Sequence, residues 1–265
     1  MKFTIVTVTF RAEDTFPRTA DSVLEQTYAD VEHLIIDGGS GDAMCRLIEA
    51  YERDNRNQGH GHSVRWISEP DKGLYDAMNK GLHMATGTYV CFLNAGDKFP
   101  SPDTLSQIAR KAETACGDNG VWPAVLYGDT HIVDDKGQYL GPRHLTPPET
   151  LSWRSFRQGM LVCHQAFYAR TDLARHCDYD LNYRFSADVD WCIRVMRKAE
   201  DEHLPLLHLH MAVVDYLNEG QTTRNHRASL KERFRVMAHH YGWCTTAAMH
   251  GWFALRAMAR KLGRR

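Results

Sequence analysis

Four short apolar runs, each closed by a cluster of small and polar residues, constrain this chain more than any other feature. The first, Lys2 to Phe10, is β-branched and largely apolar, and Arg11 ends it. His33 to Ile36, Val64 to Ile67 and Tyr89 to Leu93 repeat the pattern. Such runs suit strands buried on both faces of a parallel sheet. Helical stretches fill the gaps: apolar positions at Ala20, Val23, Leu24 and Thr27, a helix around 43–53, and another over 74–85 that Gly87 stops. Strand and helix alternate over roughly the first 130 residues, which implies βαβ crossovers and a doubly wound α/β sheet. Ligands in that architecture sit beyond the carboxyl ends of the strands. The polar clusters at 9–13, 37–42, 68–73 and 94–97 all fall at such ends, so one cleft can be built from them.

The second half changes character. Val125 through Tyr139 resembles a hairpin turning at 134–137, Asp-Asp-Lys-Gly. Residues 141–160, rich in Pro, Arg and Trp, read as loop. Cys163 to Ala169 reads as a strand, Ala187 to Lys198 as a helix and Leu206 to Tyr216 as a strand. Helices at about 228–241 and 244–262 finish the chain.

The chain has 265 residues, 25% of them charged, which excludes disorder, collagen and coiled coil as whole-chain readings. A net charge of −1 points no global field at nucleic acid. The charge is unevenly spread. Residues 227–265 hold nine Lys/Arg against one acid, and the remainder carries 23 basic against 32 acidic residues. On a helical wheel Trp252, Leu255, Met258, Ala259 and Leu262 share one arc, Arg256, Arg260, Lys261 and Arg264 the opposite one, and Phe253 lies among the bases. This is the pattern of an interfacial helix attracted to anionic lipid, against the plainer reading of a docked helix with solvated bases. It is not a membrane-spanning pattern. Seven cysteines with no Cys-x-x-Cys pair suggest reduced thiols in a cytosolic compartment and no zinc site. His208 and His210 alternate along a strand and share a face, but two ligands do not make a metal site without more carboxylates or Cys.

Asp37 closes the second strand and Asp97 the fourth. Two carboxylates at neighbouring strand ends would repel unless a cation or donor-rich ligand lies between them, and Mg2+ or Mn2+ bridging a diphosphate would satisfy both. The plainer reading is that Asp42 and Asp97 start helices. After Asp37 come three glycines in four residues, which let a ligand approach the backbone closely. They match neither the dinucleotide fingerprint nor a Walker loop.

Several motifs in order resemble the inverting GT-A glycosyltransferases of family 2, over roughly residues 3–220. "TIVTVTFR" is similar to that family's opening strand, and "EQTYADVEHLIIDGGSGD" to its helix, second strand and nucleotide-binding turn. "ISEPDKGLYDAMNKGLHMATGTYVCFLNAGD" resembles a subgroup that makes bacterial surface polysaccharides such as capsule, O-antigen or colanic acid. "HQAFY" and "YRFSADVDWCIRV" resemble the segment with the catalytic base. The resemblance implies a GT-A fold: a Rossmann-like, mostly parallel sheet flanked by helices, here with C-terminal amphipathic helices. It implies a GT-A domain over 1–225 and a basic helical extension over 226–265. It implies that Thr9 lines the nucleotide pocket, Asp37 binds the base (commonly uracil) and Asp71 lies on the donor side. Asn94 to Asp97 would replace the Asp-x-Asp signature, Asp97 holding Mn2+ or Mg2+, and Asp188 would be the base. Gly38, Gly96 and Ala187 stand where acids are frequent, so fewer protein carboxylates would hold the metal. Asp190 reads as a structural acid. His164 and Gln165 are candidates for the acceptor side, Trp153 and Arg154 for a sugar platform, and Arg224 and His226 for a flap over the diphosphate.

The expected activity is metal-dependent transfer of a sugar, with inversion, from a nucleotide sugar (a UDP-sugar foremost) to a lipid-linked saccharide in surface-polysaccharide synthesis. The expected place is the cytoplasmic face of the membrane. One carboxylate takes the acceptor's proton, and a cation neutralises the departing diphosphate. The alternatives are a non-catalytic nucleotide-sugar module and, ranked lower, a sugar-phosphate nucleotidyltransferase.

Overall fold

The computed structural model describes residues 1–58, 60–117, 120–218 and 226–262, without the side chains of 58, 226, 227, 254 and 256–262. Arg224 and the side chain of His226 lie outside the described residues, as do the bases placed on the tail's polar arc.

Strand β1 (Phe3–Thr9), helix α1 (Phe16–Leu24), β2 (Val31–Asp37), α2 (Asp42–Gln58), β3 (Ser63–Ser68), α3 (Leu74–Met84) and β4 (Tyr89–Phe92) alternate as the periodicity implies. The four strands are parallel, in the order β3-β2-β1-β4. Every residue of β1, β2 and β4 is buried, which explains their unbroken apolar character. The expected first helix runs one turn short: α1 ends at Leu24, so Thr27 lies beyond it and instead donates its N–H to the Pro102 carbonyl at 2.8 Å.

After α4 (Thr104–Cys116) the parallel order stops. β5 (Val125–Val133) and β6 (Tyr139–Pro142) form the expected hairpin, turned by the Gly137 N–H donating to the Asp134 carbonyl at 3.0 Å. The expected strand over 163–169 is shorter. Residues 164–166 form a 3-10 turn, and β7 (Phe167–Arg170) pairs antiparallel with both β4 and β5. Residues 153–158, expected as loop, form a second 3-10 turn. Then follow α5 (Thr171–Ala174), α6 (Ala187–Asp201), β8 (Leu206–Leu217), α7 (His226–Tyr241) and α8 (Trp243–Leu262). β8 runs parallel to β5. The result is an α/β fold with a mixed, mostly parallel sheet flanked by helices.

Helix α7 is tied to the body of the fold. Val236 is fully buried in the main core, and Glu232 accepts the N–H groups of Arg184 and Phe185 at 2.8 and 2.5 Å. His240 Nε2 lies 2.7 Å from Asp190 Oδ1, and Asp190 also accepts from Arg194 at 2.7 Å. Asp190 thus joins α6 to α7, the structural part expected of it. Trp252 and Leu255, on the apolar arc of the wheel, are exposed, at 58% and 59%. Among the described residues no helix is long and apolar enough to cross a membrane.

Candidate active site

The sheet register builds the first part of the site. Thr9 pairs with Asp37 across β1 and β2, and Asp37 pairs with Ser68 across β2 and β3. Asp37 therefore sits between two hydroxyls at the carboxyl end of the sheet. It accepts from Thr9 at 2.9 Å, Ser68 at 2.6 Å and Ser40 Oγ at 2.5 Å. The backbone N–H groups of Gly39 and Ser40 add bonds of 3.2 and 2.9 Å. Burial pushes the carboxyl's pKa up, but these donors outweigh burial and bring it below the ordinary value. The charge of Asp37 is thus met by five protein donors, and they fold the Gly-rich turn back onto the strand end. Asp37 therefore needs no cation of its own to be held as a charged group inside the fold.

Asp71 reaches the same turn from the loop after β3. It accepts the Gly73 N–H at 2.8 Å. Its other oxygen lies where a Cβ on Gly38 would stand, with Phe10 beside it. Glycine at 38 leaves the Asp71 carboxylate its present place; any side chain there would have to push it aside. An acid at that position, frequent in the family resembled, would displace Asp71.

The turn after β4 holds Asn94 and Asp97. Asp97 does not start a helix, since α4 begins at Thr104; Asp42, by contrast, does open α2. Asp97 is 4% exposed and accepts the Leu217 N–H and the Gln165 amide, each at 2.9 Å. Burial dominates, raising its pKa to about 7 against the pull of these two donors and the charge of Arg18. Gly96 has φ 102°, and a Cβ there would press on the Leu217 side chain. A second acid at this position would be strained by that backbone conformation and would have to push the end of Leu217 aside. Asn94 Oδ1 is buried without a hydrogen bond.

Asp188 stands in the first turn of α6, whose N-cap is Ser186. It is therefore not the helix's cap. Its carboxylate accepts from the Tyr75 hydroxyl at 3.1 Å and lies 3.6 Å from His164 Nδ1, with 17% of the side chain exposed. Tyr75 is held by stacking on Tyr179, which stacks on the fully buried Trp191 one turn after Asp188. Asn79 clamps the backbone of Tyr179 through bonds of 3.0 and 2.7 Å. Burial lowers the pKa of His164 against the opposing pull of Asp188, which favours a neutral imidazole. Burial also raises that of Tyr75, so its hydroxyl stays a donor.

His164 and Gln165 join the acids. His164 Nε2 lies 3.5 Å from Asn94 Nδ2 while its other nitrogen faces Asp188, and Gln165 bonds Asp97. Asp97 and Asp188 thus share one short bridge. Asp37, Asp97 and Asp188 do not share one coordination sphere. Among the described residues the one group of three or more His, Cys, Asp or Glu close enough to hold an ion is Glu149, His208 and His210. Tyr75 was not singled out from sequence, although it lies in the most specific motif. Trp153 is no open platform: Tyr241 stacks on it at 5.6 Å and Arg197 lies 4.0 Å from its ring. The donor set fits a hard divalent ion loosely. Asp97 has lone pairs left and Asn94 Oδ1 has no partner, so phosphate and water would supply most of the ligands.

Comparison with known proteins agrees with this architecture. The profile of "Glycosyl transferase family 2" matches residues 4–176. An uncharacterized glycosyltransferase of Mycobacterium tuberculosis is 33% identical over 193 residues, 72% of this chain and 67% of that protein. A PGL/p-HBAD biosynthesis glycosyltransferase of Mycobacterium bovis is 31% identical over 220 residues, 82% of this chain and 77% of that protein. An amylovoran biosynthesis glycosyltransferase of Erwinia amylovora is 28% identical, covering 73% of this chain and 64% of that protein. The fold is similar to S. aureus TarS 1-349 in complex with UDP-GlcNAc, with a TM-score of 0.67 and 17% identity over 89% of this chain and 64% of that one. It is also similar to the mannosyltransferase PcManGT from Pyrobaculum calidifontis in complex with GDP-Man and Mn2+ (TM-score 0.60, 15% identity, 100% of this chain and 81% of that one). The family match over residues 4–176 identifies this GT-A-like chain as a member of glycosyltransferase family 2.

Proposed function

We propose that this enzyme moves a sugar, with inversion, from a nucleotide sugar to a hydroxyl of a saccharide acceptor in cell-surface polysaccharide synthesis. The observation that carries the reading is the held carboxylate of Asp188, partly exposed and bridged through His164 and Gln165 to the turn that bears Asp97. Asp188 takes the proton of the acceptor hydroxyl as that oxygen bonds to the anomeric carbon. The bond from that carbon to the diphosphate breaks on the opposite face, and the nucleoside diphosphate leaves with the electron pair. The transition state has oxocarbenium character. Asp37, Asp71 and Thr9 shape the nucleotide side, where the Gly-rich turn offers backbone close to the ligand. Asp97, with Asn94, would hold a Mn2+ or Mg2+ ion, which supplies charge neutralisation to the leaving diphosphate when bound.

The named substrates of the structural neighbours, UDP-GlcNAc and GDP-Man, support a nucleotide-sugar donor. The names of the relatives, PGL/p-HBAD and amylovoran biosynthesis glycosyltransferases, support a role in building a glycoconjugate or polysaccharide. The exposed Trp252 and Leu255 on a basic helix support contact with an anionic membrane face. Transfer or hydrolysis measured over a panel of UDP-, GDP- and dTDP-sugars, with and without Mn2+, tests the reading. Turnover of one donor supports it. Binding of a donor with no turnover by any acceptor mixture would favour the non-catalytic module.

A further inference from the structure

His208 and His210 lie at the start of β8, whose far end meets Asp97 through Leu217. Seven residue steps of strand lead from His210 to Leu217, roughly 20 Å, so the histidines are outside the site described above. The strand is bulged here. Tyr127 pairs with His208, yet Asp129 pairs with Ala212, and His210 takes φ 49°. The two imidazoles are brought together, with ring centroids 4.2 Å apart.

The missing carboxylate comes from the 143–152 segment. Glu149 Oε2 lies 3.6 Å from His208 Nδ1, and Glu149 Oε1 lies 3.5 Å from His210 Nε2. One ligand atom from each of the three residues lies within 4.8 Å of the other two. These separations are long for hydrogen bonds. They leave room for an ion: the two distances run to different oxygens of Glu149, and a small rotation of this exposed side chain would bring one oxygen to the roughly 3.3–3.6 Å from both imidazoles that a tetrahedral centre with bonds of about 2.0–2.2 Å sets. His208 is the decisive member. Its side chain is 11% exposed, and neither ring nitrogen makes a hydrogen bond or meets solvent. A buried polar group left so is uncommon. Its ring is fixed by stacking on Tyr127 at 5.0 Å, and the Tyr127 hydroxyl donates to the Glu149 carbonyl at 2.9 Å. One tyrosine therefore orients both the imidazole and the segment that brings the carboxylate.

We propose that Glu149, His208 and His210 form a site for a zinc-class transition-metal ion, with water in the fourth position, that pins the 143–152 segment to β8. Two imidazoles and one carboxylate suit borderline ions such as Zn2+ or Co2+, unlike the oxygen donors near Asp97. The test titrates Zn2+ by calorimetry and Co2+ by visible absorbance into the intact, untagged chain, in a Cys244→Ser background that removes the exposed thiol. Uptake of one ion with a four-coordinate cobalt spectrum is expected. Glu149→Gln and His210→Ala alter exposed side chains (78% and 57%), so both should fold, which circular dichroism checks. Each should weaken zinc binding by at least the roughly tenfold that even outer-sphere partners contribute. Asp97→Asn should leave the zinc titration unchanged. No zinc or cobalt uptake by the parent chain, or superimposable titrations of parent and variants, would overturn the proposal.

Discussion

The Tyr75 hydroxyl donates to Asp188 Oδ1 at 3.1 Å, joining the start of α3 to the start of α6 across 113 residues of sequence. The stack through Tyr179 to Trp191 fixes that hydroxyl, so Tyr75 acts as a positioning residue for the proposed base. Tyr75→Phe keeps the stack and removes the bond. Since a hydrogen bond to a charged group is worth about 1.5–3 kcal/mol, kcat should fall by about tenfold or more. The KM for donor should stay where it is. A variant that loses donor affinity instead, with kcat intact, would show that Tyr75 serves the nucleotide side.

Gly38→Ala tests the meeting of the two donor-side loops. The new methyl group occupies the place of an Asp71 oxygen, at the end of a side chain that can swing away. The expected result is a raised donor KM, little change in melting temperature and a kcat kept at saturating donor. An unchanged donor KM would remove Asp71 from the nucleotide side.

Much of this geometry was legible in the sequence. The β-branched runs and their polar ends placed β1 to β4 and brought Thr9, Asp37, Asp71, Asn94 and Asp97 to one end of the sheet. That legibility is local: strand periodicity and chain direction fix which end a residue occupies. The partners of each acid were not legible, because long-range packing sets them. Gln165 and the Leu217 N–H reach Asp97 from 68 and 120 residues away. No spacing rule foretells that β7 turns antiparallel or that β8 bulges at His210. The suggestion of a cation between Asp37 and Asp97 took no account of the donors that the fold brings to Asp37. Asp37 is satisfied by its own turn, and a pairing of Thr9 and Ser68 around it needs only the register.

His33 is one group whose burial weakens the fold in acid. It is fully buried, 2.9 Å from Thr7 Oγ1 and 2.7 Å from the Tyr51 hydroxyl, and burial lowers its pKa to about 3. The unfolded chain, with a histidine pKa near about 6.5, binds this proton first as pH falls. The stabilising contribution is therefore complete above pH ~6.5 and is lost progressively down to pH ~3, a change of a few kcal/mol. Urea unfolding at pH 7, 5.5 and 4 measures it. In His33→Gln the slope over that window should be shallower, though the variant is less stable at pH 7; equal slopes would assign the acid sensitivity to other groups.

Asp97→Asn tests the cation. In the parent chain, Mn2+ together with UDP should raise the melting temperature above the shift from UDP alone. The variant should lose that added shift and keep the response to UDP. An equal added shift in both proteins would mean that Asp97 does not hold the ion.

The most direct test is the comparison of Asp188→Asn with the parent chain, measuring turnover of the preferred nucleotide sugar and, separately, its dissociation constant. Removing a general base should lower kcat by about 10²–10⁴-fold. Donor affinity should stay within about twofold, because Asp188 bonds Tyr75 and faces His164 rather than the Gly-rich turn. A variant that turns over at the parent's rate would contradict the assignment of the base.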